Sequence, residues 1–191
     1  MTDYLVALGS NLPLIKNDLA STLTRAIQKL HTTPGIRVLS TSAWYQTPAW
    51  PAGSGPDYAN GAAVLASNLS PDGILQELHE VEKALGRVRR ERWASRTCDL
   101  DLLAAGDAVL PDRDEVARWM DQGPDRNRIP DCLLLPHPRL HERGFVLVPL
   151  ADVAPDWRHP ILGQTVREMR NALPASEISG IQRIDSSSGL G

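Results

Sequence analysis

Two aspartates, Asp99 and Asp101, stand one residue apart in the otherwise apolar stretch CDLDLLAA, and five arginines crowd the ten residues Arg87 to Arg96 ahead of them. If the stretch is a β-strand, alternate side chains share a face. Both carboxylates then project together, roughly 7 Å apart at the Cα level, while Cys98, Leu100 and Leu102 turn to the core. Two carboxylates on a half-buried surface repel, and one protonates unless a cation lies between them. Hard oxygen donors of this kind suit Mg2+. The arginines add complementary chemistry, because planar guanidinium forks match phosphate oxygens two at a time. The chain has no GxxxxGK[ST] loop, and Lys16, Lys29 and Lys83 are its only lysines among 20 basic side chains. A nucleoside triphosphate would therefore be held by arginines, backbone groups and metal, the electrostatic arrangement of phosphoryl transfer. Taken alone, an Asp-x-Asp pair also arises by chance in exposed strands, and part of the arginine excess is compositional, with Glu91 at hand to neutralise some of it.

Local patterns supply the elements that would position these groups. YLVALG (residues 4–9) has the composition of a short buried strand. Leu19, Leu23, Ile27 and Leu30 recur at helical spacing, and TTPG ends that helix. IRVLSTSAWYQ and YANGAAVLAS are β-branched, aromatic or small enough for strands. Between them TPAWPAGSGPD, with three prolines and two glycines, predicts an excursion at the sheet edge or a lid. Ser70 and Pro71 form an N-cap and first-turn pair for a second helix with an apolar stripe of Ile74, Leu78, Val81 and Leu85, and Gly86 stops it. The arginine-rich run follows and leads into the aspartate strand, which Gly106-Asp107 would turn into a hairpin with AVLP. Phe145 to Leu150 is apolar but ambiguous, strand-like in composition yet without alternation and containing Pro149. Thr165 to Leu173 predicts a short helix with Val166, Met169 and Leu173 on one face.

With 191 residues, 42% of them hydrophobic and 23% charged, the chain can build one core, and a single domain spanning 1–191 is expected. Residues 111–131, mixed in charge, read as a surface insertion with a weak helical signal at Val116 to Met120, and the serine- and glycine-rich end at about 185–191 as a flexible tail. A net charge of −3 argues against coating nucleic acid or anionic lipid through overall charge. Cys98 and Cys132, far apart and outside any CxxC spacing, suggest neither a disulfide framework nor a zinc site. His137 and His141, four apart, lack a nearby third ligand for zinc. No leader or membrane-length apolar run is present, so a cytoplasmic protein without membrane or nucleic-acid partners is expected, and a monomer.

GRVRRERWASRTCDLDLLAAGD followed by LPHPRLHERGFVLVPL resembles the 6-hydroxymethyl-7,8-dihydropterin pyrophosphokinases of folate biosynthesis, and ALGSNL, WYQTPAW, PDYANGA and EKALGRVR fall in that family's order and approximate spacing. The resemblance implies a ferredoxin-like α+β fold, an antiparallel sheet with helices packed on its faces. It also implies transfer of pyrophosphate from the co-substrate ATP to the pterin hydroxymethyl group, releasing AMP. Asp99 and Asp101 then match the holders of two Mg2+ ions, and Arg87, Arg89, Trp93 and Arg96 match a mobile catalytic loop. His137, Arg143 and Glu82 match ATP-binding positions, although Glu82 can equally be a helix-surface acid paired with Arg87 or Lys83. Tyr58 and Phe145 match the aromatics that sandwich the pterin, and Thr47 and Asn60, with backbone near Pro48 and Trp50, match the partners of its polar edge. Core packing is the alternative for each aromatic, and a turn role for Asn60. Pro138 stands where some members carry tyrosine, His79 where glutamine is found, and 111–131 is longer than the family pattern.

A closing arginine loop would also exclude the water that competes with the pterin hydroxyl. Whether an aspartate or the metal accepts the hydroxyl proton is left open by the residues. A palm-type nucleotidyltransferase, which would release pyrophosphate, and an RNA-binding module using the arginines without Asp99 or Asp101 are the competing readings.

Overall fold

A computed structural model of the chain describes residues 1–12, 18, 20–48, 55–86, 98–121 and 130–184. The second predicted helix shows how local chemistry makes an element. Ser70 caps α2 (Pro71–Ala84) by accepting from the Gly73 N–H at 3.2 Å, Pro71 occupies the first turn, and Ile74, Leu78 and Val81 are buried. Gly86, at φ 87°, adopts the left-handed conformation that ends it. The first helix, α1 (Ser21–Thr32), buries Leu23 and Leu30 of the predicted stripe together with Ala26, Ile27 is half-buried, and Leu19 lies outside the described residues.

Strands β1 (Thr2–Ser10), β2 (Ile36–Thr41), β3 (Tyr45–Thr47), β4 (Tyr58–Ser67), β5 (Asp99–Ala105) and β6 (Gln182–Arg183) form one antiparallel sheet. Its order is β5-β1-β4-β3-β6, with β2 also on β4. Strand alternation splits the core into two layers. Tyr4, Val6, Leu8, Leu65, Leu100 and Leu102 meet the α1 and α2 side chains on one face. Leu5, Ala62 and Val64 meet α4 (Gly144–Val153) and α5 (Val166–Ala172) on the other, through Val146, Leu147, Leu150, Val166 and Met169. The fold is thus ferredoxin-like α+β, with helices on both faces of the sheet.

Several local expectations give way to tertiary context. IRVLSTSAWYQ is two strands, because the chain breaks at 42–44, where Ser42 Oγ accepts from the Ala62 N–H at 2.9 Å and the Trp44 ring lies over the open space at Gly61. The hairpin after β5 does not form. Gly106 turns the chain, but Leu110 bridges Leu135, and among the described strands β5 pairs with β1 alone. The ambiguous segment is α4, a helix buried at Val146, Leu147, Val148, Pro149 and Leu150. Covered on nearly every side, it forms despite the amide that Pro149 lacks and has no alternation to display.

Asp112 caps α3 (Arg113–Met120) within the predicted insertion, and Val116 there is fully buried, while 122–129 lie outside the described residues. Thr165 caps α5 with a reciprocal capping box to Glu168. Elements with no counterpart in the sequence patterns include a 3-10 turn at Leu140–Glu142, α6 (Ala175–Ile178) and the edge strand β6. The tail at 185–191 lies outside the described residues.

Candidate active site

Register decides which polar side chains share a face. Gly9 of β1 pairs with Asn60 of β4 on one side and Asp99 of β5 on the other, and Asn60 pairs in turn with Tyr45 of β3. Residues directly opposite across strands point the same way, so Asp99, Gly9, Asn60 and Tyr45 form one row. Two residues along, Asp101, Ala7 and Ala62 form a second row on that face, and Tyr58 opposite Thr47 a third. Ala62 packs in the layer beneath α4, so this is the α4 face. β5 is separated from β4 by two strand spacings, ~10 Å. Only Gly9, Ala7 and Ala62 lie between the carboxylates and the amide, so the floor there is flat and low.

The expected alternation of β5 is observed: Asp99 and Asp101 are half-buried, and Cys98, Leu100 and Leu102 are in the opposite core. An extra residue at Leu103 interrupts the pairing with β1 just beyond the aspartates. At that bulge the Leu103 carbonyl accepts from the His137 N–H at 2.8 Å, which fastens His137 beside the carboxylate row. His137 Nδ1 accepts from the Arg139 N–H at 3.1 Å, so the neutral ring carries its proton on Nε2. Burial, with the Arg143 guanidinium adding to it, pushes His137 down to about 3, so it is a neutral donor at physiological pH.

The other end of the face is the polar pocket. Asn60 Nδ2 donates to Thr47 Oγ1 at 2.7 Å, and both residues are buried. A Cβ at Gly9 would lie 3.3 Å from Asn60 Oδ1, which places the amide oxygen over the glycine. Helix α4 runs antiparallel to β3: Asp152 near its end accepts from the Tyr45 hydroxyl at 2.9 Å and the Ala43 N–H at 3.2 Å. Its beginning, Gly144, meets Glu177 and Ile181, and Gly180 beside them meets Pro48. That direction carries Phe145 to the Thr47–Pro48 end of the face. Phe145 is 40% exposed, and the Arg143 guanidinium carbon stands 5.6 Å from its ring centroid. An exposed ring under a cation differs from a core phenylalanine. Tyr58 is half-buried.

Glu82 corrects one of its two readings. It is 2% exposed, so it is no surface acid, and Lys83 pairs instead with Glu80. The Leu100 N–H donates to Glu82 Oε1 at 2.8 Å. Arg87, Arg89, Trp93 and Arg96, together with Trp50, lie outside the described residues, so the structure places only the loop's stems, Gly86 and Cys98. Among the described residues no group of three or more His, Cys, Asp or Glu side chains is arranged to hold a metal. Two carboxylates suit an ion that keeps waters and shares substrate phosphates, as Mg2+ does, and are by themselves too few for a closed cage. Missed from the sequence were Gly9 as the floor, whose signal lay within ALGSNL, and the α6–β6 segment that joins Pro48 to Gly144.

Fold and polar face together define a ferredoxin-like α+β protein with a carboxylate pair and a buried amide on one face of its sheet. A family model of 7,8-dihydro-6-hydroxymethylpterin-pyrophosphokinase (HPPK) matches residues 5–155. The chain is 40% identical over 185 residues to the 2-amino-4-hydroxy-6-hydroxymethyldihydropteridine pyrophosphokinase of Methylorubrum extorquens, covering 97% of this chain and 100% of that one. It is 40% identical over 165 residues to the Synechocystis protein of the same name, covering 86% and 72%. Among solved structures, Plasmodium falciparum HPPK-DHPS with pteroate shares the fold at TM-score 0.63 and 14% identity, over 89% of this chain and 42% of that one. The chain thus spans less than half the length of that structural relative. It belongs to the 7,8-dihydro-6-hydroxymethylpterin-pyrophosphokinase family. No helix among the described residues is long and apolar enough to cross a membrane.

Proposed function

We propose that the protein transfers the β,γ-pyrophosphoryl group of ATP to the hydroxymethyl oxygen of 6-hydroxymethyl-7,8-dihydropterin, as a monomeric cytoplasmic enzyme of folate biosynthesis. The observation that carries this reading is the shared face: carboxylate pair, small-residue floor and buried amide pocket in register across β5, β1, β4 and β3. The length of that floor suits a substrate with phosphates at one end and a flat polar ring at the other.

In this reading Thr47 and Asn60, with backbone near Pro48 and Trp50, bind the pterin edge, and Tyr58 and Phe145 cover the faces of the ring. Asp99 and Asp101 are the residues that would hold two Mg2+ ions, which when bound screen the β- and γ-phosphate oxygens and make phosphorus more electrophilic. His137, through its Nε2–H, and Arg143 bind the nucleotide. The pterin oxygen attacks the β-phosphorus in line, the bond from that phosphorus to the α-phosphate oxygen breaks, the hydroxyl proton is released, and AMP leaves. Arg87 and Arg96 neutralise charge gathering on the bridging oxygen, and Arg89 and Trp93 close the loop against water.

The test is incubation with ATP, Mg2+ and the reduced pterin alcohol, with nucleotide products separated by ion exchange. Pterin-dependent AMP in equal amount to pterin diphosphate is expected. Release of pyrophosphate with the nucleotide left on an acceptor would reject the scheme in favour of nucleotidyl transfer.

A further inference from the structure

Glu82 stands where an acid is unfavourable on three counts. It is almost wholly buried, it lies in the last turn of α2 at the negative end of the helix dipole, and it sits behind a strand that carries two further carboxylates. What it does there is specific. Among the described residues β5 is an edge strand, paired with β1 alone. The Leu100 amide therefore faces away from β1, and the Glu82 carboxylate receives it at 2.8 Å. Because amide directions alternate along a strand, those of Asp99 and Asp101 turn inward to β1. Leu100 is the residue between the two aspartates, and Glu82 lies shortly before the arginine segment that Cys98 closes. One charge-assisted hydrogen bond thus ties the departing stem of that segment to the strand on which it ends.

We propose that Glu82 is a positioning residue: its carboxylate pins the outer edge of β5 at Leu100, and so fixes the direction in which Asp99 and Asp101 project and the separation of the arginine segment's stems. This assignment rests on the proposed reaction for its consequence, and on the Leu100 hydrogen bond for its physical basis. It differs from a nucleotide-contacting role because what it requires of residue 82 is an acceptor oxygen, whereas charge directed at a ligand is not needed.

Two variants separate these roles. Glu82→Ala removes the acceptor, and Glu82→Gln keeps an oxygen acceptor while removing the charge. In the ligand-free protein, hydrogen exchange at the Leu100 amide should accelerate by about ten-fold or more in Glu82→Ala relative to wild type and be largely restored in Glu82→Gln, the factor expected when a buried amide loses its acceptor. In the AMP assay the half-saturating Mg2+ concentration should rise about ten-fold in Glu82→Ala, and Glu82→Gln should recover most of that loss. Equal impairment in both variants would overturn the proposal in favour of a charge-dependent contact, as would unchanged Leu100 exchange in Glu82→Ala. If the wild-type protein forms no pterin-dependent AMP, the proposed function fails, while the exchange measurement still decides whether Glu82 holds β5.

Discussion

Lowering the pH below 6.5 should destabilise this protein by charging histidines that the fold keeps neutral. His159 is fully buried, its Nδ1 accepts from the Ile161 and Leu162 N–H groups at 3.2 Å each, and burial with His141 alongside pushes it down to about 4. Burial and the Arg143 guanidinium hold His137 down at about 3. Both native values lie below the ordinary 6.5, so the unfolded chain takes up protons first. The stabilising contribution is complete above about pH 6.5 and is lost as pH falls toward the native values. Between pH 7 and pH 5 each histidine should cost about 2 kcal/mol, a figure governed by the unfolded value because both rings are still largely neutral in the fold at pH 5. Together they remove about 4 kcal/mol, a large share of an ordinary domain's stability. His141, lowered by burial, acts in the same direction. Glu168 belongs to a different window: Thr165 hydrogen bonds hold its carboxyl below the usual range, so its contribution is lost only as pH falls below about 4.5. Urea unfolding at pH 8, 7, 6 and 5 measures the loss, and His159→Gln should remove about 2 kcal/mol of it. A stability that changes by less than about 1 kcal/mol between pH 7 and 5, or a His159→Gln protein that keeps the full dependence, would refute the reasoning.

Three further outcomes are expected. Asp101→Ala should lower pterin-dependent AMP formation by at least about 100-fold, with cooperative unfolding retained because the side chain is half-buried and its removal opens no core; substantial remaining activity would remove the metal role. Gly9→Val should raise the pterin KM by about ten-fold or more, with a smaller change for ATP, since even a Cβ there lies 3.3 Å from Asn60 Oδ1 and further methyls must displace that amide. Ser70→Ala should cost about 1 kcal/mol in urea unfolding, because the Gly73 N–H loses its acceptor at the start of α2, and should leave both KM values unchanged.

Much of the site was legible because it depends on neighbours in sequence. The Asp99–Asp101 pair is a property of strand alternation, and α2 with its Ser70 cap, apolar stripe and Gly86 stop is a property of helical spacing. The Thr47–Asn60 pair and the exposed Phe145 were reached only through the family motifs. Nothing local distinguishes a phenylalanine stacked beneath Arg143 from one in a core. The segment of α4 stayed ambiguous for a related reason, since a segment covered on nearly all sides shows neither the two-residue nor the 3.6-residue period. The hairpin after Gly106 failed because a turn signal says where a chain bends and leaves open what it then meets, here Leu135.

The sequence by itself determined the chemical vocabulary: paired carboxylates, arginines in place of lysines, a capped helix leading into the basic run, and motifs sufficient to assign a family. The tertiary structure alone decided the register that sets Asp99, Gly9, Asn60 and Tyr45 in one row, the closure of α6–β6 over Pro48 and Gly144, and the burial of Glu82 against the Leu100 amide. The physical reason is range. Caps, stripes and alternation arise between residues a few positions apart, whereas register and burial arise from pairing between distant segments, where a slip of one residue would turn every side chain to the other face.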